Sequence, residues 1–213
     1  MPKSATAQKL VAVCRDLYAH GFVTASDGNV SSRLPNGNIL ATPTSLNKGR
    51  VVESDLVEVT VDGVIVREGR APSTELGMHL YIYRQRPDVH AVVHAHPTYA
   101  TGFAAAHIPL DKPLLPEVIL GLGPIPLATF AVTSTQEVAD SIAPYVQSSS
   151  AILLANHGVV TFGKDLDDAY FKMEKVEHAA HITFVARMLG GEKVLAGEEV
   201  KRLKETFSKR KRS

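Results

Sequence analysis

Two short apolar runs that lead into histidines constrain the fold of this chain more than any other feature. Residues 89–93 are apolar except for one position and close on His94-Ala95-His96, and the apolar residues 151–155 lead into Asn156-His157-Gly158. Short apolar runs of this kind are typical of buried strands. Side chains two positions apart on a strand point to the same face, so His94 and His96 can face a point that His157 reaches from a second strand. The spacing therefore predicts a three-histidine site at the ends of two strands.

A divalent metal ion is the partner that best explains these histidines. A polar side chain at the end of a buried strand is unfavourable without a partner, and three neutral imidazoles around an ion leave one coordination position open for catalysis. The spacing alone does not identify the ion, and zinc, manganese and cobalt are the candidates. The other interpretation is that His94 and His96 form a hydrogen-bonded structural pair. His178 and His181 lie three positions apart in a charged helical segment and are interpreted as a solvated or interface face.

Helical and strand patterns alternate along the chain, without an internal repeat or an obvious linker. Apolar periodicity and capping residues predict helices at residues 4–21, 72–87, 97–106, 134–144, 166–189 and 198–207. Turn residues predict two hairpins, which pair residues 28–33 with 38–42 and residues 57–61 with 64–66. This pattern predicts an α/β or α+β architecture around a largely antiparallel sheet, and by itself does not separate the two classes.

Length and composition favour a single soluble domain. The 213 residues, 45% hydrophobic and 21% charged, suit one buried core and contain no run long enough to span a membrane. The net charge of +1 gives no strong field for nucleic acid, and the N-terminus lacks a secretory signal, so a cytoplasmic location is expected. The single cysteine, Cys14, lies among apolar residues and is expected in the core. The basic segment at about 208–213 is expected to be an extended or disordered tail.

Three polar segments offer groups that can hold an anion. Pro72-Ser73-Thr74-Glu75 brings two hydroxyls and a carboxylate to a helix start, where free N–H groups attract anions. The alternative is that Ser73 or Thr74 caps the helix and Glu75 complements its dipole, and both interpretations remain open. Gly28-Asn29-Val30-Ser31 and Thr42-Pro43-Thr44-Ser45 can hold a phosphate through N–H and hydroxyl groups, although ordinary turns share this composition.

Taken together, these motifs resemble the class II aldolase and adducin head family, most closely its fuculose-phosphate aldolase branch. Five motifs occur in the order and rough spacing of that family over about residues 7–207: Gly28-Asn29-Val30-Ser31, Thr42-Pro43-Thr44, Pro72-Ser73-Thr74-Glu75, His94-Ala95-His96 and Asn156-His157-Gly158. The resemblance implies a three-layer αβα fold of the α/β class with a central, mainly antiparallel sheet. It also implies a C4-symmetric homotetramer whose active sites lie at subunit interfaces.

The resemblance assigns roles to individual residues. In the family, the histidines that match His94, His96 and His157 hold zinc, and the glutamate that matches Glu75 binds or releases the metal and acts as acid and base. The family residues that line the substrate phosphate match Asn29, Thr44, Ser45, Ser73 and Thr74. Ser45 stands where the fuculose-phosphate aldolases have glycine.

Two positions depart from that branch. A tyrosine that reaches into a neighbouring subunit's site is replaced by Glu117, and a second tyrosine expected near the C-terminus is absent, with Arg210 close to its place. A glutamate at the position of Glu117 resembles methylthioribulose-1-phosphate dehydratase, in which it acts as acid and base. We therefore expect Glu117 to be catalytic, and the two departures leave the sugar preference and the stereochemistry open.

The expected function is metal-dependent cleavage of a ketose 1-phosphate into dihydroxyacetone phosphate and an aldehyde. Candidate substrates are L-fuculose 1-phosphate and 5-deoxyribulose or methylthioribulose 1-phosphate. Alternatives on the same fold are a sugar-phosphate dehydratase and a decarboxylase of a sugar-acid phosphate. A non-enzymatic scaffold of the adducin type is disfavoured because such a scaffold needs no metal ligands, whereas this chain has His94, His96, His157 and Glu75.

Overall fold

The computed structural model describes residues 3–66 and 69–210, and in this part of the chain one seven-stranded sheet lies between two layers of helices. The strands are β1 (Asn29–Arg33), β2 (Ile39–Ala41), β3 (Val57–Val59), β4 (Ala91–Ala95), β5 (Leu127–Ala128), β6 (Ala151–Leu154) and β7 (Gly158–Gly163). The helices are α1 (Lys3–Ala19), α2 (Leu76–Gln85), α3 (Thr98–Ala105), α4 (Pro116–Gly121), α5 (Gln136–Val146), α6 (Leu166–Met188) and α7 (Gly197–Arg210). Two single 3₁₀ turns, Lys48–Arg50 and Glu53–Asp55, connect β2 to β3.

The sheet has the strand order β3-β2-β1-β4-β7-β6-β5. Neighbouring strands are antiparallel except for β5 and β6, which are parallel. One face packs on α1, α3 and α6, and the other packs on α2 and α5. The three-layer αβα arrangement around a mainly antiparallel sheet is therefore confirmed.

The alternation of β4 decides where its histidine points. Val93 and Ala95 belong to the core beneath α1, α3 and α6, whereas Val92 belongs to the core beneath α2 and α5. Because side chains two apart share a face of a strand, His94 points to the same side as Val92. Helix α2 is therefore the helix that can bring a partner to His94.

The first predicted hairpin is confirmed, and the second is reduced to a single bridge. Strands β1 and β2 pair from Ser31 opposite Ala41 to Arg33 opposite Ile39. After β3, only Val59 and Ile65 form a bridge, and residues 64–66 are exposed. Because residues 64–66 pack against no core on either face, regular pairing of this arm would add little stability.

Several predicted helix ends were wrong by a few residues. Ser4 lies inside α1 rather than before it. Helix α5 continues past Pro144 to its end at Val146, because a proline in the last turn removes only one helical hydrogen bond. Helix α7 includes residues 208–210, the first half of the expected tail, and residues 211–213 lie outside the described part of the chain. None of the described helices is long and apolar enough to cross a membrane.

Candidate metal centre

Three imidazole rings converge beside the end of β4. His94 lies in β4, His96 follows it by two residues, and His157 lies in the turn between β6 and β7. One ring nitrogen from each residue lies within 4.8 Å of the other two, and the Nε2 atoms of His94 and His96 are 3.1 Å apart. The predicted three-histidine cluster is therefore present in the structure.

The turn that carries His157 is held close to β4. Strands β6 and β7 pair directly across it, with Leu154 opposite Gly158, and Asn156 adopts a left-handed conformation with φ of 56°. A Cβ atom on Gly158 would lie 2.5 Å from Cδ2 of His96 and 2.6 Å from the carbonyl oxygen of Ala95. Only glycine therefore allows the turn to approach His96 this closely.

Hydrogen bonding and burial prepare two of the rings for metal binding. Nδ1 of His94 donates to the carbonyl oxygen of Val159 at 2.9 Å, and a bond of this kind is what orients metal-binding histidines. Burial, together with the charges of His94 and His157, lowers the pKa of His96 to about 3. His96 is therefore neutral near pH 7, as a ligand must be.

The carboxylate of Glu75 completes the cluster. Its Oε1 lies 3.0 Å from Nε2 of His157 and its Oε2 lies 3.3 Å from Nε2 of His94. Asn29 Nδ2 donates to Oε2 at 2.9 Å. Burial opposes ionisation of Glu75, but the charges and hydrogen bonds of His94 and His157 outweigh it and hold the pKa of the carboxyl well below its usual range. The group is therefore ionised.

These donors fit a divalent cation. The Nε2 atoms of His94 and His96 lie only 3.1 Å apart, and the carboxylate of Glu75 lies against both His94 and His157. Nitrogen and oxygen atoms packed this closely need a shared proton or a cation among them. Three imidazole nitrogens with a carboxylate oxygen are a donor set that zinc binds in proteins.

The segments expected to hold a phosphate lie side by side next to Glu75. Pro43 and Pro72 form an antiparallel bridge, the N–H of Thr44 donates to Ala71, and the N–H of Ser73 donates to Thr42. The hydroxyls of Thr44 and Ser45 are 3.4 Å apart. The structure thus brings Thr44 and Ser45 to Ser73, while Asn29 contacts Glu75.

Ser73 and Thr74 also make bonds of their own at the start of α2. Ser73 Oγ accepts from the N–H of Glu75 at 3.3 Å, a bond in the turn before α2, which begins at Leu76, so Ser73 caps no N–H of the helix itself. Thr74 is exposed, and its hydroxyl accepts from Ser134 Oγ at 2.8 Å. Glu75 is the residue that immediately precedes α2, and its side chain caps no N–H of that helix.

Sequence reasoning did not find Lys48 as a buried cation. Its side chain is 1% exposed, and its Nζ donates to the carbonyl oxygens of Ser26 and Leu46 at 2.8 and 2.9 Å. Burial above all lowers its pKa. Lys48 therefore ties together the two loops that precede Asn29 and follow Thr44. A lysine in a short polar turn is usually solvated, so the sequence carries no signal for this role.

Glu117 is not part of the cluster in a single chain. It lies in the first turn of α4 and is exposed. Within residues 3–66 and 69–210, no hydrogen bond or ion pair joins it to the three histidines. The interpretation of His178 as a solvated residue agrees with its exposure, while the ring of His181 stacks on Tyr99 with centroids 3.9 Å apart.

A family model and three known proteins match most of the chain. The model of the Class II Aldolase and Adducin N-terminal domain matches residues 8–184. An L-fuculose phosphate aldolase of Methanococcus maripaludis is 36% identical over 185 residues, which cover 85% of this chain and 97% of the relative. A 3-oxo-tetronate 4-phosphate decarboxylase of Escherichia coli is 34% identical over 183 residues, which cover 84% of this chain and 85% of the relative. A solved structure of L-fuculose 1-phosphate aldolase has a TM-score of 0.88 and 31% identity, covering 96% of this chain and 97% of its own.

Proposed function

The chain belongs to the class II aldolase and adducin family, and on this premise we propose that it is a zinc-dependent aldolase that cleaves a ketose 1-phosphate. The observation that carries the proposal is the convergence of three histidine nitrogens, two of which contact an ionised, half-buried carboxylate. A scaffold without catalytic activity needs no such cluster. The products would be dihydroxyacetone phosphate and an aldehyde, and the candidate substrates are L-fuculose 1-phosphate and 5-deoxyribulose or methylthioribulose 1-phosphate.

His94, His96 and His157 would hold the zinc ion, with Glu75 as a ligand that can leave. When bound, the ion supplies a Lewis acid that stabilises negative charge on substrate oxygens as the carbon–carbon bond breaks. The hydrogen bond from His94 to Val159 fixes one ring in the ligand orientation. The backbone of the β6–β7 turn holds His157 opposite it.

Glu75 would move the proton. In the direction of condensation, its carboxylate removes a proton from the hydroxymethyl carbon of dihydroxyacetone phosphate, and after cleavage the same group returns one. The hydrogen bond from Asn29 holds the carboxylate at Oε2, while Oε1 lies against Nε2 of His157. A base must be ionised and within reach of its proton, and the low pKa of Glu75 satisfies the first condition.

Asn29, Thr44, Ser45, Ser73 and Thr74 would bind the substrate phosphate. Thr44 and Ser45 adjoin Ser73 through the backbone pairing of their two segments. Hydroxyl and amide donors at this place can anchor the phosphate beside the metal centre. Anchoring of this kind orients the reacting bond and takes no part in bond breaking.

Decarboxylation of a sugar-acid phosphate is the second candidate. It is favoured by the similarity of this chain to a 3-oxo-tetronate 4-phosphate decarboxylase, which matches at nearly the same identity as the aldolase. The same centre can stabilise the negative charge left by the loss of carbon dioxide. Glu117, in place of the family tyrosine, also keeps a dehydratase open as a third reaction.

The assembly proposed is a cytoplasmic homotetramer whose active sites lie at subunit interfaces. The three histidines and Glu75 come from one chain, whereas Glu117 is exposed on α4. In an interface site, Glu117 of one subunit would act as acid or base in the centre of its neighbour. This arrangement explains how Glu117 can be catalytic without contacting the histidines of its own chain.

A panel of substrates tests the proposal. The zinc-loaded protein is incubated with ketose 1-phosphates and sugar-acid phosphates, and triose phosphate and carbon dioxide are measured. The aldolase proposal expects dihydroxyacetone phosphate from at least one ketose 1-phosphate. Carbon dioxide without triose phosphate would establish the decarboxylase instead, and neither product from any substrate would contradict both.

The variant His96→Ala tests whether the activity depends on the bound metal. Because two imidazoles hold a divalent ion much more weakly than three, we expect loss of both bound zinc and turnover, measured by elemental analysis and the same product assay. The matched control is His178→Ala, which removes an exposed histidine of α6 and should retain both. Full activity of His96→Ala would refute the ligand set.

A further inference from the structure

Strand β1 and helix α2 are joined by a row of polar contacts that continues beyond Glu75. Asn29 contacts Glu75, Ser31 contacts His79 and Tyr83, and Arg33 contacts Tyr83. We refer to these six residues as the β1–α2 ladder. Asn29 and Ser31 both lie in β1, which is the first arm of the predicted hairpin.

The ladder contacts stay in register because the distance between successive ladder residues is similar along β1 and along α2. Its residues on β1 are two positions apart, which is about 6.7 Å along a strand. Its residues on α2 are four positions apart, which is about 6 Å along a helix. The strand and the helix can therefore stay in register for three successive contacts.

The middle contact is the most deeply buried. Ser31 Oγ lies 2.7 Å from His79 Nδ1 and 2.9 Å from the Tyr83 hydroxyl, and all three residues are at most 1% exposed. Burial is the main reason that the pKa of His79 falls to about 3, so the ring is neutral. A shift of α2 along β1 would leave these buried polar atoms without partners, which is unfavourable.

The outer contact holds the far end of α2. Arg33 Nη2 donates to the carbonyl oxygen of Tyr83 at 2.8 Å, and its guanidinium lies over the Tyr83 ring, 5.0 Å from the centroid. The helix is thus bonded to β1 near its C-terminal end as well as at its start. Only one position of α2 along β1 satisfies all of these bonds.

The position of α2 matters because it sets the place of Glu75. Glu75 precedes the helix with φ of −95° and ψ of 5°, and its side chain makes no capping bond. Besides the bond from Asn29, the contacts shown for its carboxylate are to His94 and His157. Its distance from these rings therefore depends on where the first turn of α2 is held.

We propose that His79 is a positioning residue that, through Ser31 and Tyr83, fixes α2 along β1 and so holds the Glu75 carboxylate against the metal centre. For its kinetic consequence, the inference rests on the proposed function, in which Glu75 moves the proton. Its structural consequence is independent of the reaction. His79 touches neither metal nor substrate and acts only through Glu75.

Three substitutions on α2 separate positioning from ordinary stability. His79→Leu removes the ring nitrogens at similar volume, whereas His79→Asn keeps a polar atom near the place of Nδ1. Ile82→Val is the matched control, because Ile82 is buried on α2 and belongs to no ladder contact. Tyr83→Phe removes the second partner of Ser31 and is used in place of His79→Leu if that variant does not fold.

The measurements are crystal structures of the metal-free variants, zinc content, and kcat and KM for the best substrate of the panel. For His79→Leu we expect Glu75 to move out of contact with His157, and kcat to fall about tenfold to a hundredfold while KM changes less than about twofold. His79→Asn should recover most of the loss. Ile82→Val should lower the melting temperature and leave kcat unchanged.

Two outcomes would overturn the inference. One is an unmoved Glu75 carboxylate in metal-free His79→Leu, or in Tyr83→Phe where that variant is used. The other is that Ile82→Val and His79→Leu lower the melting temperature by the same amount and also lower kcat by the same factor. Failure of the proposed function looks different: the wild-type protein would produce no triose phosphate, while the crystal structures would still show Glu75 displaced in His79→Leu, which supports the ladder.

Discussion

His79 is a buried neutral histidine, and this makes the stability of the protein depend on pH. Its pKa lies near 3 in the folded chain, against an ordinary value of 6.5. Below pH 6.5 the unfolded chain takes up a proton that the folded chain does not bind. The free energy of unfolding should therefore decrease by up to about 1.4 kcal/mol per pH unit as the pH falls from 6.5 toward 3, with no loss from this group above 6.5.

This prediction is checked by urea denaturation of metal-free protein at several pH values. Other groups contribute to the wild-type profile, so the quantity to compare is its difference from His79→Asn, which should be flatter between pH 6.5 and 3. His178→Asn changes an exposed histidine and should keep the wild-type slope. Parallel profiles for the wild-type protein and His79→Asn would show that His79 is not the source.

At the scale of residues, the sequence could identify those site residues that are marked by their immediate neighbours in the chain. His94, His96 and His157 could be found because each follows a short apolar run, and Glu75 because it opens a helix. The roles of His79, Ser31 and Lys48 depend on partners far away in the chain; Ser31 and His79, for example, are 48 positions apart. A signal for the ladder exists only in combination, as a two-residue spacing in β1 and a four-residue spacing in α2.

Helix α3, which follows His96, is capped by a side chain from another helix. The carboxylate of Glu177 in α6 accepts from the N–H groups of Tyr99 and Ala100 at 2.9 and 2.8 Å. Glu177→Gln keeps the shape but loses the charge and one of the two acceptors. We expect the free energy of unfolding to fall by about 1 to 2 kcal/mol, because hydrogen bonds to charged groups are stronger than neutral ones.

Urea denaturation at a fixed protein concentration measures the effect of Glu177→Gln. The control is Glu205→Gln, which makes the same chemical change at an exposed position of α7 and should alter stability by no more than about 0.5 kcal/mol. An equal effect of the two substitutions would mean that the bonds from Glu177 to α3 contribute nothing measurable.

At the scale of elements, long patterned helices and short uniformly apolar strands were predictable, whereas β5, β7 and α4 were not. Helix α6 has clear boundaries because it is long and begins after a capping aspartate, Asp165. Strand β5 has only two residues and exists because β6 lies beside it. Strand β7 is buried along its whole length, so its sequence lacks the alternation that marks a half-exposed strand. The six-residue helix α4 is too short to show a period.

At the scale of the whole molecule, the proposed assembly makes a direct prediction. The C-terminal end of α6 exposes large apolar side chains, of which Met188 is 72% and Leu189 is 83% exposed. Burial of such side chains between copies would favour association. We expect light scattering during size-exclusion chromatography to give four times the mass of the chain. A monomer at micromolar concentration would contradict an active site at the subunit interface. Glu117 would then have no neighbouring metal centre on which to act.

The metal centre joins parts of the chain that are far apart in sequence. Asn29 and Glu75 are 46 residues apart, and His94 and Val159 are 65 residues apart. Contacts at such separations require closure of long loops. The entropic cost of that closure is offset only when the strands between them have paired. A partly folded chain therefore has no complete ligand set. An ion bound by all of these groups would therefore be held only by molecules that have finished folding.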